Sequence, residues 1–198
     1  PIMKKKEIIA LNIDIPQPDQ LPEETQKYLN ICQEKLGLVP NVLKTYTHEM
    51  QQFNAFSQLY NAIMFADTGL TPLEREMIAV VVSSKNHCFY CLTAHGNSVR
   101  EYSKDPILGE LLVMNYKSAD LSKRHRAMLD FASKLTTDPS DIDDTDRKIL
   151  RDAEFTEKEI WDIASVASFY NMTNRMASAV DMQPNDEYHF MNREDKSK

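Results

Sequence analysis

Thr71-Pro72-Leu73-Glu74-Arg75-Glu76-Met77-Ile78-Ala79-Val80-Val81-Val82 decides the fold class of this chain. Its valines alone would suit a strand, but its opening is that of a helix. A Thr that can cap is followed by Pro at the first helical position and by Glu in capping-box register. From Met77 to Val82 every face of such a helix is apolar, so the helix is expected to lie buried. An all-α fold follows if its neighbours can surround it.

They can. Glycine occurs only at 37, 69, 96 and 109, and alternating apolar patterning is scarce outside the first fifteen residues, so the rest reads as helices joined by polar turns. A short helix is expected over 23–36, ended by Gly37, and a long one over 42–66 with Leu43, Tyr46, Met50, Phe53, Phe56, Leu59 and Ile63 at helical spacing. After a break near Lys85-Asn86 another helix should begin at the cysteines and reach about Tyr102, followed by helices at 106–115, 121–135, 143–152 and 157–180. Residues 1–22, with Pro16, Pro18 and Pro22, read as an extended arm of the kind that packs on a neighbouring subunit. Residues 23–181 read as a single helical domain, and 182–198 as a polar tail, loose or laid on a partner subunit.

Laying position 71 on position 156 pairs Thr71 with Thr156, Glu74 with Glu159, Ile78 with Ile163, Ala79 with Ala164, Val81 with Val166, Ser83 with Ser168 and Asn86 with Asn171. This is either two buried helices with the same cap or a duplicated helical unit. In the second copy Trp161 stands at the Glu76 place and no cysteine follows, so any chemistry belongs to the first.

The bulk properties exclude more than they assign. Hydrophobic residues at 42% and charged residues at 27% are ordinary for a globular protein. A formal net charge of −7 argues against nucleic acid or anionic lipid as a partner, since both need a basic face. No stretch approaches the ~20 apolar residues of a membrane span. Met3-Lys4-Lys5-Lys6 before Ile8-Ile9-Ala10-Leu11 has the outline of a signal peptide. The apolar run breaks at Asn12 and Asp14, however, and no small-residue cleavage site follows, so a cytoplasmic location is expected. Three cysteines are too few for a secreted disulfide framework.

Cys32 stands alone and reads as a half-buried thiol, whereas Cys88, Cys91 and His95 fall at i, i+3 and i+7, along one face of a helix. A free thiol with a pKa of about 8.5 is mostly unreactive at neutral pH, and only the thiolate attacks. Cys88 near a helix N-terminus gains from the macrodipole, and His95 can take the Cys91 proton. One sulfur can then attack a peroxide or disulfide and the other resolve the product into an internal bond. Glu76, twelve residues before Cys88 in the buried helix, needs a partner, and His95 is the natural one. Cys-x2-Cys-x3-His also offers three zinc ligands, which Glu76 or His87 would have to complete; no second CxxC or HxxxH exists, and no metal or other cofactor is expected. His87 is expected at the surface, while His48, His125 and His189 carry no signal.

Glu76, Cys88-x-x-Cys91 and His95, framed by Gly37-Leu38-Val39-Pro40-Asn41-Val42-Leu43 and Leu70-Thr71-Pro72-Leu73-Glu74-Arg75-Glu76, resemble the alkylhydroperoxidase D-like family of the carboxymuconolactone decarboxylase superfamily. His125-Arg126-Ala127-Met128-Leu129-Asp130-Phe131-Ala132 and the helix from Thr156 to Asp181 are similar to its peroxidase-related branch. The resemblance implies an all-α fold of duplicated units assembled as homo-oligomeric trimers or hexamers. It also implies a thiol-dependent peroxidase that reduces hydroperoxides, with electrons from a dithiol or thiol-protein reductant. Cys91 would be the peroxidatic thiol, Cys88 the resolving partner, His95 the relay to Cys91 and Glu76 the residue that polarises it. Some members carry a second histidine beside or between the cysteines, where this chain has Phe89-Tyr90. Two other readings remain: a lyase acting on a lactone-type acid, as in cysteine-free relatives, and a non-catalytic disulfide redox sensor.

Overall fold

The computed structural model describes residues 7–194; Pro1 to Lys6 of the expected arm and residues 195–198 of the expected tail lie outside the described residues. Among the described residues there are nine α-helices and no strand. They are α1 (Glu23–Leu36), α2 (Asn41–Tyr46), α3 (Met50–Met64), α4 (Pro72–Lys85), α5 (Phe89–Ser103), α6 (Pro106–Asn115), α7 (Lys123–Thr137), α8 (Asp144–Asp152) and α9 (Glu157–Ala179). No helix among them is long and apolar enough to cross a membrane.

The fold is arranged around α4, which packs against α5, α6, α7 and α9. Met77 to Val82 are all 0% exposed, as a helix without a polar face requires. Each of its Met, Ile and Val side chains contributes roughly 1.5–3 kcal/mol by leaving water, so α4 forms the centre of the core. Its start is as the sequence indicates: the Thr71 hydroxyl accepts from the Glu74 amide (3.1 Å) and the Thr71 amide donates to Glu74 Oε2 (2.8 Å). α9 begins identically, with Thr156 and Glu159 exchanging bonds of 3.2 and 2.7 Å.

These two matching helices meet each other at matching places. Arg124 of α7 donates from Nε to Glu74 Oε1 (3.0 Å) and from Nη2 to Glu159 Oε1 (2.7 Å). Twelve residues further on, Asn86 Nδ2 donates to Asn171 Oδ1 at 2.9 Å. Equivalent residues joined at both ends place α4 and α9 side by side and parallel. Gly69 serves this junction, since a Cβ there would collide with the Glu159 carboxylate.

One expectation is corrected. The single helix expected over 42–66 is two, α2 and α3, separated at Thr47–Glu49. The Thr47 hydroxyl donates to the Lys44 carbonyl (2.6 Å), and a His48 ring nitrogen bonds the Thr45 carbonyl (2.7 Å). Side chains that capture backbone carbonyls compete with helix continuation, and apolar periodicity does not register that competition.

The segments read as arm and tail lie on their own chain. The Ala10 amide donates to the Val180 carbonyl and the Gln183 amide to the Ile8 carbonyl, both at 2.8 Å. Asn185 accepts from the Asn41 amide (2.8 Å) and donates to the Val39 carbonyl (2.9 Å). Arg100, buried in α5, donates to the carbonyls of Tyr188 (2.8 Å) and Met191 (3.1 Å).

Burial raises the Glu74 carboxyl, but His125 at 3.6 Å and hydrogen bonds from the Thr71 amide and Arg124 outweigh it and hold its pKa at about 2, below the ordinary 4.5. A carboxyl depressed on folding stabilises the fold above its unfolded pKa and loses that contribution as pH falls toward the folded one. Arg124→Met strands two carboxylates and should destabilise the protein by about 2–3 kcal/mol at pH 7. That is below the range of about 3–5 for a fully buried pair because Arg124 is partly exposed. Urea unfolding at a series of pH values checks this: the gap between variant and wild type should close as Glu74 and Glu159 protonate below pH ~4.

Candidate active site

The first helical copy breaks where the second does not. α4 stops at Lys85 and His87 takes a left-handed backbone (φ 51°), so that Cys88 becomes the N-cap of α5. The Cys88 amide donates back to the Ser83 carbonyl at 3.0 Å, which fixes the break tightly. The cap places Cys91 in the first turn of α5, one turn before His95. α4 delivers the acid: Glu76 Oε2 lies 2.6 Å from His95 Nδ1, with the two side chains 8% and 15% exposed. A carboxylate bonded at Nδ1 orients the ring and leaves Nε2 as the nitrogen that can exchange a proton.

The two sulfurs differ in environment. The Cys88 thiol is lowered from its ordinary 9.0 to about 7, chiefly because the Cys91 thiol donates to it; the Cys91 amide, His95 and Ser178 act in the same direction against burial. Cys91 is pushed well above 9.0 by holding that shared proton, then by burial and the charge on Cys88, with Asn174 and Thr173 opposing. Of the two, the thiol whose pKa falls is Cys88, at the helix N-terminus. His95 acts on it through its field; among the described residues no hydrogen bond joins His95 to Cys91.

Facing the sulfurs is α9, which continues straight past the point equivalent to the α4 break. Its Tyr170, Thr173, Asn174 and Ser178 lie on the turns beside the pair. The His95 ring meets the Tyr170 ring edge-on at 4.6 Å. Asn174 donates to Ser83 Oγ and accepts from Asn86, each at 2.9 Å, locking α9 to the end of α4. The sequence singled out none of these four. Their only sequence-level trace is polar residues on a helix otherwise matched to a buried one.

Other candidates fall elsewhere. The Tyr90 hydroxyl accepts from the Val42 amide (2.9 Å) and so packs on α2. His87 is exposed, and Cys32 packs at the edge of the main core. His125 lies 3.6 Å from Glu74, and His189 stacks near Phe89. Among the described residues no group of three His, Cys, Asp or Glu side chains converges as metal ligands.

Cys88 is 1% and Cys91 4% exposed. Their cover is apolar: Ile9, Leu38, Ala94, Ala177, Val180, Met182 and Tyr188 form one cluster with them, and Ile8, Ile13, Ile15 and Met191 pack outside it. The segments 8–15 and 182–191 thus close over the pair.

The model of the carboxymuconolactone decarboxylase family matches residues 51–106, a span that holds Glu76, both sulfurs and His95. An uncharacterized peroxidase-related protein from Silicibacter sp. TM1040 is 55% identical with a TM-score of 0.93, over 98% of this chain and 100% of that one. The alkylhydroperoxidase AhpD core, an uncharacterized peroxidase-related protein from Ralstonia eutropha JMP134, is 39% identical with a TM-score of 0.92, over 96% and 99%. The debrominase Bmp8, at 20% identity and TM-score 0.76 over 94% and 96%, shares the fold. No curated protein matches the chain.

Arg100 holds the 182–191 cover through carbonyls alone, and burial lowers its own pKa to about 10. Arg100→Met should cost about 1–3 kcal/mol of stability and raise the rate at which iodoacetamide alkylates the pair in the native protein about tenfold. Peptide mass spectrometry after timed labelling reads this out. In wild type the same labelling should climb through pH 7, as Cys88 ionises, rather than through pH 9.

Proposed function

Because the chain belongs to the alkylhydroperoxidase D-like family of the carboxymuconolactone decarboxylase superfamily, in its peroxidase-related branch, we propose that it is a thiol-dependent peroxidase working through Cys88 and Cys91. The observation that carries the reading is a buried thiol pair, one member lowered toward neutrality, beside a buried Glu76–His95 bond of 2.6 Å. That combination provides a nucleophile at neutral pH, a proton store and a second thiol within reach of the first.

A thiolate attacks the hydroperoxide, ROOH. The O–O bond breaks, the sulfur is oxidised to a sulfenic acid, and ROH leaves after taking a proton that His95, held by Glu76, can supply. The second thiol displaces the sulfenic hydroxyl as water and the Cys88–Cys91 disulfide forms. An external dithiol or thiol protein then reduces that disulfide, returning two electrons and two protons. The helical i, i+3 spacing permits closure with little rearrangement.

The resemblance gives the first attack to Cys91, whereas the N-cap position and the downward shift favour Cys88. The two orders differ over which of the coupled sulfurs gives up its proton first.

A homo-oligomer is part of the proposal. Trp161, Met172 and Met176 are 73%, 43% and 41% exposed and follow one face of α9, with Ser165 and Ser168 between them. Three exposed apolar side chains on one helix face are suited to a second copy of the chain.

In stopped-flow oxidation of the reduced protein by cumene hydroperoxide, wild type should lose both free thiols and form one internal disulfide. One of the two variants Cys88→Ser and Cys91→Ser should keep the first step and stop at a sulfenic acid trapped by dimedone on the remaining cysteine, and the other should lose about 10²-fold or more in rate. Sulfenic acid in Cys88→Ser gives the order that the resemblance implies, and sulfenic acid in Cys91→Ser gives the reverse. No thiol loss in wild type with any peroxide, or retained turnover of a lactone acid after both thiols are alkylated, would end the peroxidase reading.

A further inference from the structure

Tyr170 is 1% exposed, and its hydroxyl oxygen makes no hydrogen bond among the described residues. A buried hydroxyl left unpaired is unfavourable, and most of its neighbours in the core of α9 avoid the problem by being apolar: Ile163, Val166, Ala167 and Phe169. The position of this one is specific. Its ring stands edge-on to His95 at 4.6 Å, and the next turn of α9 brings Thr173 and Asn174 to Cys91. Burial, followed by the Glu76 carboxylate, keeps its pKa well above 10.0. It therefore remains protonated wherever the thiol pair is active. The site thus holds a neutral O–H donor without an acceptor among the described residues, on a ring packed against the imidazole.

We propose that the Tyr170 hydroxyl is the donor that receives the leaving oxygen of the substrate when a sulfur of the pair attacks a hydroperoxide. The step rests on the peroxidase reading above. As the O–O bond breaks, the departing RO oxygen gains negative charge and must be met by a hydrogen bond or a proton. His95 and Glu76 can deliver the proton that makes ROH. Tyr170 donates a hydrogen bond to the same oxygen without ionising, so atoms and charge balance as before. A donor fixed in a site closed to water needs no reorganisation as charge develops, which is the condition under which such bonds contribute most to rate. The hydroxyl unpaired in the resting protein would acquire its acceptor in the transition state.

The choice of peroxide tests this. Leaving oxygens of hydrogen peroxide and alkyl hydroperoxides are strongly basic, whereas that of a peracid leaves as a stable carboxylate and needs little help. Tyr170→Phe should slow thiol oxidation by hydrogen peroxide and cumene hydroperoxide about 10²-fold, while leaving peracetic acid within a few-fold of wild type. The pH profile of Cys88 alkylation should stay in place, and Tm should not fall, since only an unpaired hydroxyl is removed. Equal slowing with all three oxidants would show a structural role and overturn the proposal, as would no slowing with any. Loss of folding in Tyr170→Phe would overturn it too, because the hydroxyl would then have a structural partner. If wild type reacts with none of the three, the peroxidase reading itself fails and the proposal fails with it; a normal wild type with an indifferent variant rejects Tyr170 alone.

Discussion

A carboxylate in the middle of a helix that has no exposed face is the constraint to which the rest of this molecule answers. α4 must be surrounded to exist, and Glu76 is carried inside with it. A buried acid without a partner would be driven to neutrality. The Glu76–His95 bond resolves the conflict by drawing α5 against α4 in one register, and that register sets where the cysteines fall. The packing that makes the fold stable and the arrangement that makes the thiols reactive are, at this point, the same contact.

The pairing of α4 with α9 extends the argument. Both helices start with the same Thr and Glu and share Arg124, and both reach an Asn that meets its counterpart. They differ beyond those Asn residues. α4 turns sharply at His87 and gives up its helix to form the N-cap at Cys88, whereas α9 runs on to Ala179. The break creates a helix N-terminus for a thiolate, and the unbroken copy supplies the wall that faces it. Similar segments with one divergence thus produce a site that neither could form alone.

Much of this was legible in the residues. The Thr71 and Thr156 capping boxes, the all-apolar run from Met77 to Val82 and the helical register of Cys88, Cys91 and His95 are local signals, and local signals survive into the fold. The break at Thr47–Glu49 was not legible, because side-chain capture of the Lys44 and Thr45 carbonyls leaves no mark on apolar periodicity. Nor was the role of Thr173, Asn174 and Ser178, which depends on a contact between segments more than eighty residues apart. The last stretch misled for a related reason. Residues 182–194 are polar in composition, yet Met182 and Tyr188 are buried, and Arg100 and Asn41 satisfy backbone and side-chain groups that sequence alone would leave to water.

The cover over the sulfurs joins residues near opposite extremes of the described chain, with Ile8 and Ala10 bonded beside Val180 and Gln183. During synthesis the thiol pair would emerge long before its shield: residues 182–191 follow Cys91 by some ninety to a hundred positions. At a translation speed of about 5–20 residues per second, both sulfurs stay uncovered for several seconds in every newborn molecule. The redox state of the surroundings during that interval, rather than after folding, governs whether the pair enters its finished site as thiols or as a disulfide.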